Sequence, residues 1–256
     1  MKRVLLVLIT VVAVFAVANP QRGILAADGV EGVDDGDGTA YTAADYIQDG
    51  LVAMWDGHES NGYTDLIAGK EFSPPDGYDL PIRTYNGYLF TGRTQKMTAD
   101  ITDLPWESAP VKSWRPHTFE FCISPMAQPT TVRNFYVATS PAIRWYNRRL
   151  FVPYLTDTFA MSELPSGTYS FAKGRARGAS DIDPSFVYIN GEVQAYYNLR
   201  DWTIYPLTIG DNKNTSNVGL DGYFLGTLHA VRCYSRQLTE EEIQYNSMID
   251  KERFGL

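Results

Sequence analysis

Cysteine, histidine, basic charge and long apolar runs are all scarce in this sequence, and each shortage excludes something. Two cysteines, Cys122 and Cys233, and three histidines, His58, His117 and His229, are scattered over 256 residues. Neither set has metal-ligand spacing, and the histidines stand too far apart in sequence to form a local triad signature. No G-x-S-x-G string occurs to seat a nucleophilic serine. Lysine and arginine number 22 against 30 acidic residues, a net charge of −8. A chain that repels polyanions as a whole has no footprint for nucleic acid, which is excluded as a partner.

No apolar run reaches the roughly 20 residues of a bilayer-spanning helix. An uncharged run at positions 4–18 follows Lys2 and Arg3 and ends in Ala16-Val17-Ala18. That pattern predicts a signal sequence at 1–18 with cleavage after residue 18, or after 27 at the Ala26-Ala27 alternative, and hence an exported protein without stable membrane insertion after cleavage. The alternative is an uncleaved anchor. Residues 19–40 include DGVEGVDDGDGT, which has no aromatic residue and reads as a solvated acidic linker. Its acidic positions fail the calcium-loop spacing of an EF-hand.

What is abundant is aromatic: 17 Tyr, 12 Phe and 5 Trp, types that suit sheets and sugar-facing surfaces. From Tyr41 onward the chain reads as one β domain, 41–256. Thr42 and Asp45 cap a short turn, and Asp49-Gly50 leads into a strand from Leu51. Short aromatic and β-branched runs recur at 117–125, 133–138, 142–147, 149–155, 168–172 and 203–209, with Gly and Pro between them. Phe186 to Val193 is the clearest hairpin, because Asn190-Gly191 supplies the positive φ of a type I′ turn. Gly226 to Tyr234 carries apolar or β-branched side chains on both parities, as an interior strand does. Thr239 with Glu242 then forms a capping box for a closing helix whose Ile243 and Ile249 can fold back on a sheet.

Six segments in order carry a resemblance: AADYIQDGLVAMWDG, the Asp65 to Gly69 hairpin, Tyr88-Leu89-Phe90-Thr91-Gly92, His117 to Pro125, Val187-Tyr188-Ile189-Asn190-Gly191-Glu192, and the closing G-x-L-x-x-V-R-x-Y-x-R-x-L-x-x-E-E-I. The chain resembles laminin-G-like domains of the concanavalin A-like lectin/glucanase superfamily, in the form found in exported bacterial proteins. It departs from them at Thr91, Cys122, His229, Ala230 and Cys233. The resemblance implies an all-β fold, a two-sheet antiparallel jelly-roll β-sandwich with a short C-terminal helix. It also implies a cell-surface recognition module that binds carbohydrate through a concave sheet and its rim loops.

The glucanases of that superfamily carry E-x-D-x-x-E on one strand, where period two aims the carboxylates into the cleft. No such string occurs here, and Glu120 stands alone on its strand. The reading is therefore non-catalytic: a glycan-binding module, or alternatively a structural or adhesive protein-interaction domain of a cell surface or virion, with a glycoside hydrolase third. Candidate ligand residues are Trp145, Tyr146, Tyr154, Tyr196, Tyr197 and Trp202 with Arg148, flanked by Arg144 and Arg149, since a pyranose presents an apolar face and a hydroxyl rim. Strand alternation puts Trp145 and Tyr146 on opposite sides, so one of them belongs to the core. Calcium is the candidate metal, at Asp211, Asn212, Asn214 and Asp221, with Asp56, Asn61 and Asp65 a second cluster; ordinary Asx turns are the competing explanation. Cys122 and Cys233 are either bridged or two buried thiols.

Overall fold

The computed structural model describes residues 41–59, 62–92, 94–109, 112–126, 135–138, 143–146, 149–151, 159–160, 165–178, 180–197, 204, 206–210 and 223–256. The expected signal sequence and linker, residues 1–40, lie outside them. The chain folds as two antiparallel sheets with one C-terminal helix. The larger sheet runs, in spatial order, β12 (Glu192–Tyr197), β11 (Ser185–Ile189), β10 (Gly167–Lys173), β5 (His117–Pro125), β14 (Gly226–Tyr234), β3 (Gly87–Phe90) and β2 (Ile82–Thr84). β1 (Leu51–Asp56) also pairs with β14, beyond the stretch that β3 occupies. The smaller sheet runs β4 (Lys96–Ala99), β13 (Leu207–Gly210), β6 (Phe135–Ala138), β7 (Ile143–Tyr146), β8 (Arg149–Phe151) and β9 (Phe159–Ala160).

Alternation along β5 sets the layers. Phe119, Phe121 and Ile123 enter the core between the sheets with Trp55, Phe72, Phe171 and Ile209, all buried. Each such side chain stabilises the fold by about 1.5–3 kcal/mol relative to exposure. Thr118, Glu120 and Cys122 take the other parity and are equally buried, because the helix α1 (Glu240–Phe254) covers that face. Burial on both faces explains why β14 reads as apolar on both parities. The helix starts as its sequence predicts: Thr239 Oγ1 accepts from the Glu242 N–H at 3.3 Å, and Glu242 Oε2 accepts from the Thr239 N–H at 2.9 Å. It stops at Gly255, whose φ of 67° is left-handed. Ile243 and Ile249 are fully buried beneath it. Among the described residues no helix is long and apolar enough to cross a membrane.

Of the two expectations for the cysteines, two buried thiols is the outcome. Both are free. Cys233 pairs in register with Phe119 and Cys122 with Ala230, so they lie three positions apart along adjacent strands, roughly 10 Å at the rise of a β-strand. They also take opposite faces, Cys233 in the core and Cys122 toward α1. A bridge needs Cα atoms within about 7 Å and converging side chains.

β1 and β3 share one edge of β14, and two glycines make that possible. The Gly57 N–H donates to the His229 carbonyl at 2.7 Å. A Cβ on Gly57 would lie 2.5 Å from Gly87 Cα, and one on Gly87, at φ 138°, would lie 2.3 Å from the Leu228 carbonyl oxygen. Gly87→Ala is expected to lower unfolding free energy by about 1–3 kcal/mol, whereas Gly92→Ala, with open space around it and no positive φ, stays within about 0.5 kcal/mol. Urea unfolding followed by tryptophan fluorescence checks the pair.

Candidate functional site

Among the described residues, a dense group of buried ionisable side chains lies between the larger sheet and α1. Arg232, on the α1-facing parity of β14, has no solvent exposure and sits opposite Glu120 of β5 in register. Its Nε donates to Glu120 Oε2 at 2.8 Å, and its two terminal nitrogens donate to the two Asp250 oxygens at 2.8 and 2.5 Å. Glu120 accepts further from Ser170 Oγ at 3.0 Å and Asn246 Nδ2 at 2.8 Å; Asp250 accepts from Tyr46 OH at 2.7 Å and Thr168 Oγ1 at 2.5 Å. Burial opposes the charge on Arg232, but Asp250 and Glu120 outweigh it and raise its pKa. Burial likewise pushes the Glu120 carboxyl up against the pull of Arg232. Every oxygen of both carboxylates is engaged within the protein. The lone Glu120 of the sequence is thus a hydrogen-bonded partner inside the sheet.

The other sequence candidates with described side chains are also occupied structurally. Asp56 receives both terminal nitrogens of Arg253, at 2.5 and 3.2 Å, and Asp65 accepts from the Ile67 and Ala68 N–H groups at 2.8 Å each. That turn chemistry and ion pairing account for two members of the second calcium cluster. Among the described residues no group of three His, Cys, Asp or Glu side chains could hold a metal. Asp211, Asn212, Asn214 and Asp221 lie outside the described residues.

Each histidine has a packing role. His229, just where the β14–β5 register shifts, takes Asn86 O at 2.6 Å and Ser124 Oγ at 2.8 Å on its two ring nitrogens and stacks on Phe254, with centroids 4.9 Å apart. His58 bonds Asn86 Oδ1 at 3.0 Å and meets Tyr85 and Phe254. His117 is fully buried, its Nδ1 3.0 Å from the Arg115 carbonyl, and burial beside the Lys173 ammonium depresses its pKa to about 3.

Backbone register sorts the aromatic candidates. In the smaller sheet Ile209, buried in the core, pairs with Val137, and Val137 with Ile143. Phe135, Trp145, Leu150 and Phe159 form the next row of that same face, so Trp145 is the core-side member of its pair. The opposite face, that of Thr98 and Thr208, carries the row Tyr136, Arg144 and Phe151 and the row Tyr146 and Arg149. Thr98 and Thr208 are half-buried and join through their hydroxyls at 2.9 Å. Tyr196 stands elsewhere, 76 % exposed on β12 at the far edge of the larger sheet, across from Phe186. Tyr197 pairs in register with Ser185. Tyr154, Trp202 and Arg148 lie outside the described residues. The register thus sets Tyr146 opposite Arg149 and one row from Arg144, which has Tyr136 and Phe151 as its cross-strand neighbours, while Tyr196 belongs to the larger sheet. Register could not be read in advance, because strands of two to four residues leave several pairings open.

Concave sites open among the described residues. A cleft of about 860 Å³ lies between the Asn190-Gly191 turn and the end of α1, lined by hydroxyl and amide side chains such as Thr168, Asn190 and Ser247 with Glu192 and Lys251. Its size suits a small ligand, and its described lining includes no aromatic ring. A smaller one, about 380 Å³, is bounded by His58, Glu59, Arg83 and Tyr85.

No family profile matches the chain, and no curated protein does. Solved structures share its fold. The binding domain of botulinum neurotoxin serotype D/C superposes with a TM-score of 0.55 at 12% identity, over 78% of this chain and 52% of that one. The serotype D binding domain does so at 0.53 and 14%, again over 78% and 52%. Trypanosoma rangeli sialidase in complex with sialic acid scores 0.52 at 15% identity, over 80% of this chain and 33% of that one. The chain spans about half of the toxin domains and one third of the sialidase, and at these identities the likeness is one of fold.

Removing the guanidinium by Arg232→Met strands two buried carboxylates and is expected to cost about 3–5 kcal/mol, while adding Glu120→Gln and Asp250→Asn restores part of the loss. Urea unfolding of the single and triple variants checks this. His117 supplies the pH test. Its folded pKa of about 3 lies below the ordinary 6.5, so the native state binds fewer protons and loses stability as pH falls from 6.5 toward 3. The slope is at most about 1.4 kcal/mol per pH unit for one proton. His117→Phe should flatten the dependence of unfolding free energy between pH 7 and about pH 4.5.

Proposed function

We propose that the chain is an exported, non-catalytic recognition module of the laminin-G-like kind that binds carbohydrate on the outer face of its smaller sheet. The observation that carries this reading is the register that groups Tyr136, Tyr146 and Phe151 with Arg144 on one face, opposite the core face of Ile209. Aromatic positions interleaved with guanidinium positions suit a pyranose, whose apolar face packs on rings and whose hydroxyls take hydrogen bonds. The fold likenesses support the sandwich, and one of those neighbours was solved with sialic acid. The ligand assignment rests on the face itself. Non-catalytic action is supported by the full engagement of Glu120 and Asp250 inside the protein.

A second reading, an adhesive protein-interaction domain, is favoured by the exposed Tyr196 and Val193, 76 % and 48 % accessible on the edge strand β12. A stable oligomer in solution without glycan affinity would support it over the first. For the first, glycan-array screening of the full chain should find a binder, and Tyr136→Ala or Tyr146→Ala should each weaken it by about five- to tenfold, near 1 kcal/mol. An EDTA arm reads out any calcium at Asp211, Asn212, Asn214 and Asp221. Absence of any binder with and without EDTA would overturn the carbohydrate reading.

A further inference from the structure

We propose that the cleft between the Asn190-Gly191 turn and α1 is a second binding site, and that it takes a short peptide of about three residues with both ends free, a zwitterion held by its two charges and its amide groups. This site stands apart from the carbohydrate reading, because the cleft belongs to the larger sheet and α1.

Helical spacing builds one wall. Gln244, Ser247, Met248 and Lys251 stand at i, i+3, i+4 and i+7 of α1, so they share a face, and all four line the cleft. The β11–β12 hairpin builds the other wall, with Glu192 and Gln194. That wall is fixed from behind: the Asn190 N–H donates to the Thr168 carbonyl at 2.8 Å, Asn190 Oδ1 accepts from the Thr168 N–H at 2.9 Å, and Thr168 Oγ1 donates to Asp250 at 2.5 Å. The cleft is therefore preformed, and a ligand does not have to order it.

Three features select the ligand. The first is Ser247, which is only 7 % exposed, lines the cleft, and makes no side-chain hydrogen bond to the described residues. A buried hydroxyl without a partner carries a desolvation cost that a peptide N–H or C=O would relieve. The second is a pair of opposite charges. Glu192 and Lys251 are exposed, and neither has an ion-pair partner among the described residues. Glu192 follows Gly191, where an added Cβ would lie 3.1 Å from Gln244 Cα, and Lys251 lies two helical turns beyond Gln244, roughly 10 Å. An extended tripeptide spans about the same distance, so its ammonium reaches Glu192 while its carboxylate meets Lys251. The third is the amide chemistry between those ends. Gln194 Nε2 donates to the Glu192 carbonyl at 3.2 Å and Gln244 Nε2 to Glu240 Oε1 at 3.1 Å, which leaves each amide oxygen to accept from a peptide N–H. Met248, half-exposed, offers an apolar contact to a peptide side chain. The described lining has no aromatic ring, the platform on which a pyranose packs.

The full chain is titrated calorimetrically with trialanine, N-acetyl-trialanine, trialanine amide and the neutral trisaccharide maltotriose. Trialanine should bind one-to-one, and loss of either terminal charge should weaken it at least about fivefold. Lys251→Met should weaken trialanine by about five- to tenfold and leave trialanine amide unchanged; Glu192→Gln should weaken trialanine likewise and leave N-acetyl-trialanine unchanged, because each of those probes already lacks the group whose partner is removed. Ser247→Ala should weaken all three peptides by a similar factor without lowering the unfolding midpoint, since alanine suits a helix. No trialanine binding up to about 10 mM overturns the proposal. Binding that all three variants leave unchanged places the peptide elsewhere and overturns the site. Equal affinity for the capped probes overturns the zwitterion class, and maltotriose bound as tightly as trialanine overturns peptide selectivity. None of these outcomes bears on the carbohydrate reading, which glycan binding and the tyrosine variants decide.

Discussion

A single guanidinium, buried where no water reaches it, fixes how this sandwich is closed. Arg232 joins Glu120 of the neighbouring strand to Asp250 of the helix, and its carbon Cζ lies 4.1 Å from the centre of the Tyr46 ring. Tyr46 belongs to the segment that leads into β1, and its hydroxyl donates to the same Asp250. Lead-in, central strands and final helix therefore meet at one point. A charge so placed is costly unless every partner is present. That cost ties the packing of α1 to the correct β14–β5 register: a slip by one residue would turn Arg232 into the core and leave Glu120 unpaired.

A second ion pair repeats the device one turn on. Arg253 reaches Asp56 at the end of β1, and Phe254 beside it receives His58 and His229. His229 and Ala230 are two of the positions that depart from the laminin-G-like pattern. Between Leu228 and Ala230 the pairing with β5 shifts, and the extra residue turns His229 toward Phe254 instead of into the core. The departure is thus a packing arrangement: an imidazole on the end of the helix, its ring nitrogens held by Asn86 and Ser124.

Local features were legible in the chain because local physics decides them. Thr239 with Glu242, Thr42 with Asp45 and the Asn190-Gly191 turn, with φ of 54° and 79°, all form as their residue types require. What could not be read is what depends on partners far along the chain. Arg232 and Glu120 are separated by 112 positions, and either alone looks like a solvated strand residue. The helix was legible at its cap and opaque along its buried face, where Asn246, Ser247 and Asp250 lie beside Ile243 and Ile249; a polar stripe against a polar sheet face leaves no amphipathic period. Cys122 and Cys233 show the same limit, since their opposite faces follow from a register displaced by the bulge.

These constraints bear on where recognition can occur. The outer face of the larger sheet is largely spent on holding α1, and its carboxylates and arginine are closed off in mutual contacts. In the smaller sheet the face opposite the core carries Thr98 and Thr208, half-buried and bonded to each other, and then the register rows of Tyr136 with Arg144 and of Tyr146 with Arg149. Trp145 and Tyr146 illustrate the division. Adjacent in sequence and alike in chemistry, they take opposite register rows, Trp145 with Phe135 and Leu150 and Tyr146 with Arg149. The buried ion pairs of the described residues thus gather under the larger sheet, Arg232 with Glu120 and Asp250 and Arg253 with Asp56, and they bind the final helix to the strands that precede it by more than a hundred positions.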